Sequence, residues 1–379
     1  MSGVPQAPTY PDLVRELADR GLFTGRWRQV FEAVPRSRFV PAEVWRQLPD
    51  RCEPVVGADA WLALVNSDEP VVTQLDDGVG GGPGVATSSN SMPSMVARML
   101  GLLDVEDGQR VLEIGTGTGY VAALLCERPG GDLVHSVELD PVVARQAAGA
   151  LARSGYRPHL RVGDGEQPWP GLGLVDRLIA TCALRYVPYA LLRQVRPGGI
   201  VVAPLARGFW SGALVRLRVR GDGTASGPFC GGAMYMPMRA HRVPDLHAVR
   251  GNGRCRAAGL DPARLLDLGF ALYAGARLPG VRLIHKGTDG GVQVWVTRED
   301  GAAATAATGE EVWQYGPGFL WEEIGQVWWE YETEGRPDAD RFGLTVTDRG
   351  QQVWLRDPSE VIRPARDRLA RPGVRRSGG

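Results

Sequence analysis

A doubly wound α/β domain built on a parallel sheet, followed by a smaller α+β domain, is the fold class this sequence predicts. Three observations predict it. The run Arg110-Val111-Leu112-Glu113-Ile114 reads as a short apolar strand that meets glycines at 115, 117 and 119 and continues into an Ala- and Leu-rich helix over 121–126. Further strand-like runs follow at 133–138, 175–180 and 200–203, spaced as β-α-β units are. Beyond Met238 the character changes, in a chain whose 379 residues are long for one domain and comfortable for two. The expected domains are therefore 1–240 and 241–379.

The first strand-turn-helix carries the ligand chemistry. Glycines there let the backbone turn sharply and let a flat ligand approach the main chain, while the following helix aims its N-terminus at the same crevice. A lone Gly-rich turn is a weak signal, and spacing strengthens it. The strand over 133–138 ends in Glu138, roughly 20 residues after the glycines, where an acid holds ribose hydroxyls in doubly wound sheets. The glycines read Gly-X-Gly-X-Gly rather than the dinucleotide pattern Gly-X-Gly-X-X-Gly. With Glu113 before them and Asp164-Gly165 downstream, the set fits S-adenosyl-L-methionine better than NAD.

Composition excludes several function classes. Forty-three acids balance 43 bases, so no global charge steers the chain toward nucleic acid or a membrane surface. Five scattered cysteines without a Cys-X-X-Cys pair suit a reduced, cytoplasmic protein. We expect no signal peptide, no membrane span, no metal site among the five histidines, and a monomer.

In chain order, apolar residues at helical spacing over 12–34 predict a helical cap, ended by prolines at 35 and 41 that bracket an extended piece. A loop is expected over 76–89, rich enough in glycine to be either a lid or plain surface. Next, Ser88-Ser89-Asn90-Ser91-Met92-Pro93 reads as a helix entrance, with Met95, Val96, Met99, Leu100 and Leu103 on one face of the helix. Its hydroxyls and amide either cap that helix or face the crevice and bind a carboxylate.

Together these residues resemble the protein-L-isoaspartate O-methyltransferase family. The resemblance rests on Val34-Pro35-Arg36-X-X-Phe39-Val40-Pro41, the Ser91-X-Pro93 helix start, Val111 through Tyr120, Gly163-Asp164-Gly165, and Pro188 through Pro197-Gly198-Gly199 to Pro204, over roughly residues 10–240. It implies a Rossmann-like, seven-stranded methyltransferase sheet. It also implies S-adenosyl-L-methionine as cofactor and S-adenosyl-L-homocysteine as product, held by Glu113, Gly115, Thr116, Gly117, Gly119, Tyr120, Glu138, Leu139, Asp164 and Gly165. Ser91 matches the family's active-site serine, with Ser89 and Asn90 beside it. A carboxylate, with an ordinary pKa of about 3.9, needs no general base, so the resemblance implies catalysis by positioning and desolvation.

Two departures stand out. The repair enzymes usually show Thr-Ile-Ser-Gln/Ala-Pro where this chain has Ser89-Asn90-Ser91-Met92-Pro93, and they are expected to stop near residue 240. In these respects, and at Thr73-Gln74 and Ser88-Ser89, the sequence is similar to a subset from actinobacterial clusters for ribosomally made, modified peptides. Those enzymes methylate an aspartate of a cyclised precursor (a lanthipeptide, graspetide or lasso peptide), and the ester closes to an aspartimide. The expected partner is then a cyclised peptide; the alternative is general repair. Gln74, Ser88, Arg185 and Tyr186 are expected on the substrate side. Arg185 sits where strand four leaves the sheet, either meeting an acidic peptide or serving as a surface arginine.

The remaining elements complete the expectation. A helix is read over 191–195 and sheet strands at 200–203 and 214–219. The C-terminal part predicts a short helix from Asp261-Pro262 and strands at 292–296, 327–331, 344–346 and 353–355. Six of the 11 tryptophans lie here, Trp295, Trp313, Trp321, Trp328, Trp329 and Trp354, as core or as a peptide groove. The basic stretch 361–379 is read as a partly disordered tail.

Overall fold

The computed structural model describes residues 8–243 and 253–365, so most of the basic tail lies outside the described residues. The chain forms two units. The first holds the chain to Ala206, Gly212–Val243 and, from near the chain's end, Leu344–Gln351; the second holds Arg207–Ser211, the chain from residue 244 to Gly343, and the remainder. A single cut after residue 240 therefore does not describe the division, because 344–351 returns to the first unit.

The first unit opens with α1 (Tyr10–Asp19) and α2 (Trp27–Ala33). The apolar spacing over 12–34 runs through both, but Gly21 and Gly25 at positive φ break it into two helices. A small antiparallel sheet follows, in the order β2 (Cys52–Pro54), β1 (Trp45–Gln47), β3 (Val71–Leu75), β4 (Ala86–Asn90), with α3 (Ala58–Val65) between β2 and β3 in sequence. The expected loop over 76–89 is thus corrected. Its second half pairs with β3 in the register Val71↔Asn90 and Val72↔Ser89, so Ser88, Ser89 and Asn90 stand on a strand and only Ser91 and Met92 enter α4 (Pro93–Leu103).

The large sheet contains β5 (Val111–Ile114), β6 (Val134–Glu138), β7 (His159–Val162), β8 (Val175–Ala180), β9 (Val195–Arg207), β10 (Trp210–Val219) and β11 (Ala225–Gly232). Its order is β11-β10-β9-β8-β5-β6-β7, and β9, β8, β5, β6 and β7 run parallel to one another. The sheet matches the seven-stranded methyltransferase type. Every residue of β5 and β8 is buried, as central parallel strands require. Helices α5 (Tyr120–Cys126), α6 (Pro141–Arg153) and α7 (Tyr189–Leu192) fall in the connections. The helix expected over 191–195 stops at Leu192, and Val195 opens β9 with a register shift over the following Pro-Gly-Gly.

In the second unit, β12 (Arg254–Arg256), β16 (Val312–Tyr315), β15 (Ala303–Ala307), β14 (Gly291–Thr297) and β13 (Arg282–Thr288) form an antiparallel sheet in that order. It carries α8 (Leu268–Arg277) and α9 (Leu320–Thr333). The strand expected over 327–331 is corrected to the second half of α9. Leu320, Trp321, Ile324, Val327 and Tyr331 recur at helical spacing and are all buried, a period that the short run Val327 to Tyr331 conceals. Phe270 of α8 packs against Trp328 and Tyr331, their ring centroids 4.9 and 5.5 Å away. Trp321 and Trp354 are core, whereas Trp329 is 60% exposed.

On this five-stranded sheet, register aligns Cys255, Trp313, Thr305, Trp295 and Ile284 in one cross-strand row, with Trp313 and Ile284 both 46% exposed. After α9 come β17 (Phe342–Thr347) and β18 (Gly350–Leu355), which extend the large sheet beyond β11 to nine strands. No described helix is long and apolar enough to cross a membrane.

Candidate active site

The carboxyl ends of β5, β6, β7 and β8 meet at one cavity of 390 Å³ in the first unit. Neighbours of β5 on its two sides leave in opposite directions in sequence, and such a switch point opens a crevice. At the end of β5 the chain turns through Gly115 and Gly117, both at positive φ. A Cβ on Gly115 would come within 2.9 Å of Thr181 Oγ1, so the turn is tight there as well as left-handed. The Gly117 N–H donates to Glu138 Oε2 at 2.9 Å, tying the glycine turn to the end of β6. The Asp140 N–H donates to the other Glu138 oxygen at 3.0 Å, leaving lone pairs on both.

Glu113 is the electrostatic oddity of the cavity wall. It is fully buried; Ser136 Oγ donates to its Oε2 at 2.6 Å, and Oε1 has no hydrogen-bond partner among the described residues. Burial pushes its carboxyl up to about 8, against the opposing Ser136 bond. A buried acid with one bare oxygen in the wall of a ligand cavity suits a cationic group or a strong donor.

The opposite chemistry comes from β4. Thr87, Ser88, Ser89, Asn90 and Ser91 all line the cavity. The helix-capping alternative fails: α4 has no side-chain cap from its N-cap residue Met92, and the Ser94 N–H is taken by Asp68 Oδ1 at 2.8 Å. Ser89 and Ser91 are therefore not spent on capping. Asn90 also lines the cavity, with its side chain held from both ends: Oδ1 accepts from Arg36 Nε at 2.6 Å and Nδ2 donates to Thr118 Oγ1 at 2.8 Å.

Arg36 is what holds this wall. Its guanidinium is completely buried and also donates to the carbonyls of Val65, Ser67, Glu69, Asn90 and Ser91 at 2.8–3.2 Å. Burial lowers its pKa to about 10, partly offset by Tyr120 and Tyr10, so it stays charged at neutral pH. Every one of its acceptors is an amide oxygen rather than a carboxylate. The spacing of the Val-Pro-Arg motif carried the signal, but only the fold shows that the arginine grips the segment bearing Ser91.

Several other expected site residues sit elsewhere. Gln74 does not line the cavity: Nε2 donates to Asp140 Oδ2 at 3.0 Å, and Oε1 accepts from Thr87 and Arg239. Burial works against ionising Asp140, yet bonds from Gln74, Arg239 and the N–H groups of Val142 and Val143 hold its carboxyl at about 2. Arg242 pairs with both Asp77 oxygens, and Arg239 joins Asp77 to Asp140, which anchors the root of the glycine-rich loop. Arg185 and Tyr186 are exposed and outside the cavity lining. The Arg185 N–H donates to His241 Nδ1, so the His241 proton is on Nε2, facing Glu166, which also accepts from the Tyr186 hydroxyl. Tyr120 lines the cavity, but its hydroxyl turns into the core to meet Tyr10 at 3.0 Å. The segment Tyr235–Ala240, which the sequence did not single out, supplies the remaining wall.

A family model for Protein-L-isoaspartate(D-aspartate) O-methyltransferase (PCMT) matches residues 9–242. The chain belongs to this family. Among its relatives, the protein-L-isoaspartate O-methyltransferase 1 of Nitrosospira multiformis is 37% identical over 150 residues, covering 39% of this chain and 63% of that protein. The chain thus spans less than two thirds of that relative's length. The corresponding protein of Ignicoccus hospitalis is 33% identical over 199 residues, covering 51% of this chain and 80% of the relative. A solved protein-L-isoaspartate O-methyltransferase structure shares the fold at a TM-score of 0.54 and 19% identity, over 92% of this chain and 99% of that one. The alignment with that structure continues past residue 240 of this chain.

The PCMT family works with S-adenosyl-L-methionine, and the residues present fit that cofactor. Glu113 offers the bare carboxylate oxygen for an ammonium group, Glu138 offers free lone pairs for ribose hydroxyls, the glycine turn admits the chain of the ligand, and Leu139, Asp164 and Gly165 complete the lining. Thr116 Oγ1, 2.6 Å from Ser136 Oγ, supports Glu113 from behind, and Gly119 caps α5.

Proposed function

We propose that this protein is an S-adenosyl-L-methionine-dependent carboxyl O-methyltransferase acting on isoaspartyl residues of proteins and peptides. The observation that carries the reading is one cavity lined both by the cofactor-type cradle of β5 and β6 and by the uncapped hydroxyls of Ser89 and Ser91 on β4 and the α4 entrance. When bound, the cofactor supplies an electrophilic methyl group. The chain's part is to orient and to dry: Ser91, held through its own carbonyl by Arg36, donates to one oxygen of the substrate carboxylate and leaves the other free to react. No general base is needed, since the substrate is ionised at neutral pH. A cytoplasmic location goes with this reading.

A second reading is methylation of an aspartate in a cyclised ribosomal peptide, the ester then closing to an aspartimide. It is favoured by Ser89-Asn90-Ser91-Met92 in place of the usual repair-enzyme residues, and the half-exposed Trp313 and Ile284 of the second unit's cross-strand row offer apolar surface to a peptide. Mass spectrometry of reactions on a linear isoaspartyl peptide and on a cyclised precursor separates the two. A gain of one methyl on the linear peptide supports the first reading. Methylation of the cyclised peptide alone, followed by loss of methanol, supports the second. Ser91→Ala is expected to cut turnover on the accepted substrate while leaving cofactor affinity intact; wild-type turnover by this variant would remove Ser91 from the mechanism.

A further inference from the structure

Tyr235 is fixed in the cavity wall by the backbone that follows it. The Ala183 N–H donates to the Met236 carbonyl at 2.8 Å and the Met238 N–H donates to the Ala183 carbonyl at 2.9 Å, stitching the segment to the chain leaving β8. The phenol oxygen is buried without a well-formed hydrogen bond among the described residues, and the side chain placed to bond it is that of Ser91, which works against the rise that burial gives its pKa. Other buried tyrosines differ. The Tyr10 hydroxyl sits 2.8 Å from the Phe31 carbonyl and 3.0 Å from the Tyr120 hydroxyl, and the Tyr331 hydroxyl donates to the Pro337 carbonyl at 3.0 Å.

A bare buried hydroxyl is costly where only packing is required, since phenylalanine fills the same space without it. Tyr235 lines the same cavity as Ser89 and Ser91, and its hydroxyl keeps its proton, because burial raises its pKa. We propose that Tyr235 is a substrate-binding residue whose hydroxyl donates, together with Ser91, to the non-reacting oxygen of the substrate carboxylate. This rests on the reading of the cavity as a carboxyl methyltransferase site. A donor on the non-reacting oxygen acts on a charge that is full in the bound substrate and shrinks as the ester forms. Its effect therefore falls on substrate binding and orientation more than on the chemical step.

The test is steady-state methylation of a linear isoaspartyl peptide by wild type, Tyr235→Phe, Ser91→Ala and the double variant, with cofactor affinity measured by calorimetry and folding by thermal melt. Tyr235→Phe is expected to raise KM for the peptide by about ten- to a hundred-fold, the range for a hydrogen bond to a charged group. The expected change in kcat is within about threefold, with cofactor affinity and melting temperature at wild-type values. The double variant is expected to fall short of the product of the single effects, because both hydroxyls serve one oxygen. Wild-type KM in Tyr235→Phe, beside an active wild type, overturns the assignment. A loss that appears in cofactor affinity or melting temperature instead of KM overturns it too, since that is a packing role. A wild type that methylates neither this peptide nor a cyclised one overturns the reading of the cavity and this assignment with it.

Discussion

Replacing Arg36 by methionine keeps most of the apolar stem and removes the guanidinium from six hydrogen bonds. Three of the abandoned acceptors are buried: the Asn90 side-chain oxygen and the carbonyls of Val65 and Asn90. At about 1–3 kcal/mol for each unsatisfied buried group the loss is roughly 3–9 kcal/mol. Against it stands the relief of no longer burying a charge, several kcal/mol. The balance is a net destabilisation of about 3 kcal/mol. With a urea slope of about 1–3 kcal/mol per molar, the unfolding midpoint followed by circular dichroism should fall by about 1–3 M. Arg36→Lys retains the charge and three donors and should lose about half as much. Both variants should also lower kcat on an accepted peptide, because the Ser91 and Asn90 carbonyls lose their anchor. An Arg36→Met protein within about 1 kcal/mol of wild type, with unchanged kcat, would refute the claim that this arginine positions the β4 wall.

Two further outcomes follow from the cofactor side of the cavity. Since burial raises the Glu113 carboxyl to about 8 in the free protein, a cationic ligand must bind its ionised form. Affinity for S-adenosyl-L-methionine, measured by calorimetry, should tighten by up to about tenfold per pH unit approaching 8 and weaken again above it as the ligand's α-ammonium loses its proton, and Glu113→Gln should abolish the rising limb. The sign for the ligand-free fold is opposite: the contribution of Glu113 to stability is complete below its unfolded value of 4.5 and is lost as pH rises through 8. Gly115→Ala should destabilise by about 1–3 kcal/mol in chemical denaturation and weaken cofactor binding, since its φ of 97° and the 2.9 Å approach to Thr181 Oγ1 both oppose a Cβ.

The parallel strands, the glycine turn, Glu113 and Glu138 are legible in the sequence because their physics is local. A buried strand needs a continuous apolar run, and a turn that crosses to positive φ needs glycine at set positions. Local signals misled where a partner elsewhere in the chain decides. Ser88 through Asn90 resemble a helix entrance until β3 pairs with them, and the run from Val327 to Tyr331 resembles a strand until the full helical period from Leu320 is taken in. Gln74 and Asn90 were polar residues at the right address whose hydrogen bonds turn out to be used by Asp140, Arg239, Arg36 and Thr118.

By itself the sequence determined the fold class, the crevice and its cofactor chemistry, since each follows from residue type and spacing along one short stretch. Tertiary structure alone decided which hydroxyls remain available to a ligand, that Arg36 is the buried clamp of the Ser91 segment, and that Tyr235 joins Ser91 in lining the cavity. Those facts depend on hydrogen bonds between residues far apart in the chain, Arg36 with Ser91 and Met236 with Ala183, and no periodicity along the sequence records such a bond.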